Sequence, residues 1–324
     1  MTAGSIRPGD WVEVRSPEEV ALTIGSDGAT DRLPFMPEMA ALCGRRFRVA
    51  RRVVKTCYYG EGSGIRRFSS DNVVILDAPR CDGTAHDGCQ KDCNIFWKES
   101  WLRKVDEDGP GTPVSTQQRQ LLLSKLRVKS APDRYFCQSS EILAATEPLS
   151  PSQRILTCIK DIRAGNSGLV EMLSRIAIWS FWKARKILFG AYGHGTSSNT
   201  PTAALDLHPN ELVQVKSIQE ISRTLDEKSH NRGLYFTPGM GASCGQQHRV
   251  ARKLERIIVD GTGKMRKLKN TVYLEGSMCA CNHVAFGGCP RGEFSYWREI
   301  WLRRTEEPVC SPTHSRPETT AVKS

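Results

Sequence analysis

Long apolar runs are missing from this sequence. No stretch reaches the roughly 18 uncharged apolar residues that a spanning helix needs, which predicts a chain without a transmembrane span. The opening residues, Met1-Thr-Ala-Gly-Ser-Ile-Arg-Pro-Gly-Asp10, lack the apolar core of a secretory signal, so the chain reads as cytoplasmic. Common catalytic signatures are missing too. Gly60-Glu-Gly-Ser-Gly64 is not followed by Lys-Ser/Thr and reads as a hairpin turn, not a phosphate loop. There is no Gly-x-Ser-x-Gly elbow and no His-Glu-x2-His pair. These absences leave no signature of P-loop hydrolases, α/β hydrolases or zincins.

What is present is basic and rich in cysteine. The chain has 324 residues, a formal net charge of +11 and twelve cysteines. The cationic excess is spread along the chain: +2 over 1–105, +3 over 106–207 and +6 over 208–324. A basic surface favours an acidic partner, whether protein, nucleic acid, polyanionic glycan or anionic lipid. In a chain read as cytoplasmic, clustered cysteines point to metal ligands or reactive thiols before disulfides.

Self-comparison exposes an internal duplication. Gly9-Asp-Trp-Val-Glu-Val-Arg-Ser16 aligns with Asn210-Glu-Leu-Val-Gln-Val-Lys-Ser217, and Leu33-Pro-Phe-Met-Pro-Glu-Met39 with Leu234-Tyr-Phe-Thr-Pro-Gly-Met240. Cys43-Gly-Arg-Arg-Phe-Arg-Val-Ala-Arg-Arg52 aligns with Cys244-Gly-Gln-Gln-His-Arg-Val-Ala-Arg-Lys253, and Val74-Ile-Leu-Asp77 with Val272-Tyr-Leu-Glu275. Phe96-Trp-Lys-Glu-Ser-Trp-Leu-Arg-Lys104 aligns with Tyr296-Trp-Arg-Glu-Ile-Trp-Leu-Arg-Arg304. Apolar and polar residues alternate within these blocks, as in short antiparallel strands. The expected fold is α+β: two small SH3-like antiparallel β barrels, over 1–105 and 208–305, flanking a helical middle segment with its linker over 106–207. A tail over 306–324 is expected to be disordered. Trp97 and Trp101 should occupy the same places as Trp297 and Trp301. Ser16 and Ser217 are set to cap a short helix in each module.

The middle segment has helical periodicity over 117–126, 150–164 and 166–189. Ser150-Pro151 opens the second helix and Gly165 stops it. In the third, Leu169, Leu173 and Ile176 form an apolar stripe expected to pack against the modules. The alternative for residues 176–189 is peripheral membrane contact, because Trp179, Phe181, Trp182 and Phe189 stand beside Lys183, Arg185 and Lys186.

Candidate ligands cluster in two loops. Cys81, Cys89 and Cys93, with His86 inside the loop and Cys57 on a nearby strand, could supply four soft donors to a structural zinc, iron being the alternative. In the second copy Cys81 and Cys89 correspond to Cys279 and Cys289, and Cys281 and His283 are new. The opposing reading is packing cysteines and an exposed loop histidine; a redox or catalytic thiol is the third. Cys43, Cys244, Cys137 and Cys158 read as packing residues. Arg45, Arg46, Arg48, Arg51 and Arg52 form one basic cluster, and Lys264, Arg266, Lys267 and Lys269 a second. Both could bind an acidic surface.

The string Cys81-Asp-Gly-x2-His-x-Gly-Cys89-x3-Cys93-x2-Phe-Trp-Lys-Glu-x-Trp-Leu102 resembles a bacterial family of hypothetical proteins. The blocks at Leu33 and Cys43 share that resemblance, as do Tyr135-x-Cys-Gln138 and Ala144-Ala-Thr-x-Pro-Leu149. It implies a motif and no activity. Three functional expectations follow: a metal-stabilised, non-catalytic binding or scaffold protein; a metal- or thiol-dependent biosynthetic enzyme; and a nucleic-acid-binding protein using the basic strands. The balance leans away from catalysis, because neither an open metal position nor an activated thiol is visible in sequence.

Overall fold

The computed structural model describes residues 5–60, 64–107, 109–190, 192–279, 286, 288 and 291–305. In the first module the strands are β1 (Trp11–Val14), β2 (Arg46–Arg52), β3 (Thr56–Tyr58), β4 (Gly64–Phe68), β5 (Val73–Arg80), β6 (Asn94–Lys98) and β7 (Leu102–Val105). Five of them form one antiparallel half-barrel in the order β6-β5-β2-β1-β7. Helix α1 (Pro17–Ala21) starts from a reciprocal capping box in which Ser16 and Glu19 exchange side-chain and backbone bonds.

The middle segment is not purely helical. It holds helix α2 (Thr116–Leu123), strand β8 (Thr146–Pro148), and helices α3 (Pro151–Arg163) and α4 (Leu169–Phe189). A short hairpin also pairs Lys129–Ala131 with Arg134–Tyr135. Strand β8 pairs with β4, so the middle completes a three-stranded sheet of the first module in the order β8-β4-β3. Periodicity missed these strands because each has only two or three residues, too few to show a period of two.

The second module contains β9 (Leu212–Val215), helix α5 (Ile218–Ser222), β10 (Gln247–Lys253), β11 (Arg256–Ile258), β12 (Met265–Lys267), β13 (Thr271–Met278), β14 (Phe294–Arg298) and β15 (Leu302–Arg304). Its five-stranded sheet runs β14-β13-β10-β9-β15, the same order as the first. Strands β11 and β12 pair as a hairpin. Ser217 and Glu220 repeat the capping box.

The duplication holds at the level of packing. Trp97, Trp101, Trp297 and Trp301 are all fully buried. Phe35 meets Trp101 edge-on at 5.1 Å, and Phe236 meets Trp301 at 5.3 Å. The Trp101 indole N–H donates to Thr30 Oγ1, whereas that of Trp301 donates to Thr224 Oγ1. Even the irregularities repeat. The register between the second and fifth strands of each module shifts at Val49/Arg51 and at Val250/Arg252. A bulge in β5 has Ala78 at φ +79°, and its counterpart in β13 has Gly276 at φ +70°.

Candidate functional site

The cysteine loop of the first module packs Cys81 and Cys89 against its own core and also reaches the other module. It runs along the edge of β11, in the other module. Gln90 N donates to Arg256 O at 3.0 Å, and Gln90 Oε1 accepts from Glu255 N and Arg256 N. Ile258 N donates to Cys89 Sγ at 3.3 Å, and Tyr273 Oη donates to Lys91 O at 3.0 Å. The reciprocal contact also exists. From the second loop, Arg291 Nη1 donates to Cys57 O at 3.1 Å and Phe286 O accepts from Lys55 Nζ at 3.0 Å. Each copy's loop therefore straps the partner copy's hairpin. A tight turn makes the strap possible: at Gly83, φ +68°, a Cβ would lie 2.0 Å from Cys89 O, so only glycine fits.

This exchange separates the predicted ligands. Cys57 packs with Ile65, Leu149 and Cys279, the last from the second module's loop. Cys81 and Cys93 stay together at the loop's base, where Cys81 N donates to Cys93 O at 2.9 Å. His86 is buried, not exposed, and both ring nitrogens are engaged. Nδ1 lies 2.6 Å from Glu38 Oε1, and Nε2 lies 3.1 Å from Phe136 O. Two acceptors require two donors, which is the imidazolium form. Burial opposes that charge, but the bond and charge of Glu38 outweigh it and raise the His86 pKa above its ordinary value. An imidazolium has no lone pair for a metal. Among the described residues, no three Cys, His, Asp or Glu side chains stand where they could share one ion. The first loop thus does not fit the four-donor zinc or iron site expected from its sequence. Hydrogen bonds to the other module order it instead. In the second loop Cys279 lies 3.8 Å from Tyr59 Oη, while Cys281, His283 and Cys289 lie outside the described residues.

Cys81 and Cys93 of the first loop are not activated. Burial raises Cys81 and Cys93 far above the ordinary thiol range, and pushes Cys137 up to about 11 and Cys43 up to about 12. Neutral buried thiols are poor nucleophiles.

Between the two straps sits a buried ionic cluster. Lys91 and Arg291, which occupy equivalent positions in the two copies, converge on one carboxylate, Asp260. Arg291 makes two bonds of 2.9 Å to Asp260 and lies 2.8 Å from Glu293. Ser139, from the middle segment, also donates to Asp260. Burial opposes ionisation of Asp260, but Arg291 and Lys91 prevail and hold it well below the usual carboxylate range. Two cations and two carboxylates neutralise one another here, so the cluster is a clasp between modules. Sequence reading missed it because Asp260 has no acidic counterpart: the aligned residue in the first copy is Tyr59.

The basic clusters are occupied or dispersed. Arg46 pairs with Glu13 at 3.2 Å, Arg48 donates to Gly9 O, and Arg52 pairs with Glu99. Arg45 lies over the Phe47 ring, and Arg51 is half-buried on β2. Lys264, Arg266, Lys267 and Lys269 are exposed on or beside the β11–β12 hairpin, with Lys264 3.7 Å from Asp133. The two sets do not form a single strand face.

The largest departure from expectation is in the helices. Leu169 is 63% and Leu173 57% exposed, and Ile176 is only half-buried, so the stripe does not pack inward. Helix α4 turns its other side to the body. Met172 is buried, Trp179 meets Phe286 edge-on at 5.1 Å, and Trp182 meets Tyr192 at 5.1 Å. Polar ties hold α3 and the turn that follows it: Lys55 pairs with Asp161 at 3.0 Å, and the Asn166 amide exchanges two 2.8 Å bonds with the Arg52 backbone. Apolar residues occur nearly all round α4, so periodicity alone gave a stripe without deciding which side would be covered. Of the sixteen large apolar side chains that stand exposed among the described residues, eleven are on α3 and α4. That concentration makes the helix pair the candidate interaction surface. No family model, curated protein or solved structure matches the chain.

Proposed function

We propose that this chain is a non-catalytic binding protein: two β modules clasped into one body that presents α3 and α4 as a docking surface. We read each five-stranded sheet, with the 3₁₀ turn that precedes its last strand, as a small SH3-like barrel. The observation that carries the functional reading is the exposed apolar face of the helix pair. Ile155, Leu156 and Ile159 on α3 stand open, as do Leu169, Val170, Leu173, Phe181 and Leu188 on α4. At ~25 cal/mol per Å² of apolar surface, leaving such a face in water is costly, and a partner would offset that cost. The raised thiol pKa values of Cys81 and Cys93 weigh against the thiol-enzyme alternative, and the engaged arginines of β2 weigh against the nucleic-acid one.

Two measurements test this. Retention on a phenyl matrix should fall sharply for the Leu173→Glu/Phe181→Glu variant, with thermal unfolding unchanged. Unaltered retention would mean that the face is not open. Alkylation by iodoacetamide near neutral pH should be slow at Cys81 and Cys93. A fast-reacting thiol at either would overturn the non-catalytic reading.

A further inference from the structure

We infer that the surface α3 and α4 dock on is an anionic lipid bilayer, with the helices lying in its interface. The inference rests on the docking reading above and names its partner.

The first argument is the shape of the free face. At about 100° per residue, Leu169, Val170, Leu173, Ala177, Phe181, Ala184, Ile187 and Leu188 share an arc of about 120° along the 21-residue helix α4. Ser180 is the only side chain with a hydrogen-bonding group within that arc, and Ser174 lies about 20° beyond its edge. A protein partner is specified by convergent polar groups as well as apolar contact. Hydrocarbon needs none. Helix α3 adds a second exposed apolar side at Ile155, Leu156 and Ile159. Among the described residues no helix is long and apolar enough to cross a membrane. An amphipathic helix in the plane of the interface is the remaining way to use such a face against lipid.

The second argument is charge. Residues 151–189 carry seven Lys and Arg but only two acids, a net +5 of the chain's +11. Both acids are already paired: Asp161 with Lys55 at 3.0 Å and Glu171 with Arg175 at 2.6 Å. Arg163 falls on the same arc of α3 as Ile155 and Ile159. Lys183 is exposed about 40° from the edge of the apolar arc of α4, with its ammonium 4.8 Å over the Trp179 ring. Cations bordering an apolar face suit acidic headgroups above hydrocarbon. The same charge opposes a second copy as occupant, because it would bring two segments of like net charge together.

The test is co-sedimentation of the full chain with vesicles of phosphatidylcholine alone and of phosphatidylcholine with phosphatidylglycerol. Binding is expected only to the anionic vesicles, and weakened by added salt. Leu173→Glu/Phe181→Glu should abolish it. Arg163→Glu/Lys183→Glu should weaken it roughly tenfold or more with little change in thermal unfolding, since all four side chains are exposed. Equal binding to neutral vesicles would overturn the anionic inference. So would no binding to either vesicle; if phenyl-matrix retention still depended on Leu173 and Phe181, the docking reading would survive that result. A concentration-dependent dimer in analytical ultracentrifugation, abolished by Leu173→Glu/Phe181→Glu, would replace lipid with a second copy.

Discussion

At the scale of single residues, the most informative pair is His86 with Glu38. The loop histidine read as a metal ligand is a buried cation held by a carboxylate from the Pro37–Ala40 helix. The second copy has Gly239 where the first has Glu38, and Phe286 where it has His86. Loss of both partners together was the signal in the sequence that they touch. His86→Phe alone should therefore destabilise the protein by about 3 kcal/mol or more, because it strands a buried carboxylate. Adding Glu38→Gln should recover part of that loss. The pH dependence follows from the raised pKa of His86. The folded state holds the proton more tightly than the unfolded one, so the contribution is complete below the unfolded value of about 6.5. It is lost as pH rises through the higher folded value. Melting temperatures should fall over that alkaline-going window in the unsubstituted protein, and much less in the double variant. Parallel curves would refute the charged pair.

At the scale of elements, the bulge in the fifth strand of each module is a paired experiment already made by duplication. Ala78 and Gly276 occupy the same left-handed position. A Cβ at Gly276 meets no atom within 4 Å, so only backbone strain opposes Ala there. Gly276→Ala should lower stability by about 1 kcal/mol, the left-handed penalty reduced by the lower entropy of the unfolded chain. Denaturant titration with an unchanged slope would show this. Helix α4 teaches a different lesson about elements. Its boundaries follow from Gly168, Gly190 and its composition, but its orientation does not. Trp179 and Trp182 are drawn inward by Phe286 and Tyr192, and this fixes which residues remain outside.

At the scale of the whole molecule, the clasp around Asp260 predicts cooperativity. Lys91 comes from the first loop, Arg291 from the second and Ser139 from the middle segment, so one buried carboxylate joins three parts of the chain. Calorimetry should give one unfolding transition for the described body, with equal calorimetric and van't Hoff enthalpies. Asp260→Ala leaves two buried cations with only Glu293 to share and should cost about 3–5 kcal/mol. It should also separate the transition into two, one for each module. A single transition at a slightly lower temperature would mean that the apolar contacts, such as Ile258 in the first module's core, dominate the joint.

The duplication, the common strand order, the four buried tryptophans and the two serine N-caps were legible in the sequence. They depend on local periodicity, caps and blocks that must fill equivalent cores. Cys81, Cys89 and Cys93 were legible as a cluster, but their chemistry was not. Only the tertiary structure decided that each loop crosses to the other copy, because a swap between two similar hairpins leaves every local pattern unchanged. That crossing put Cys57 beside Cys279 and brought Lys91 and Arg291 to Asp260, while His86 stayed with Glu38 of its own module. It also decided which side of α4 faces water, since a helix apolar on most sides has its exposed face chosen by what packs against it.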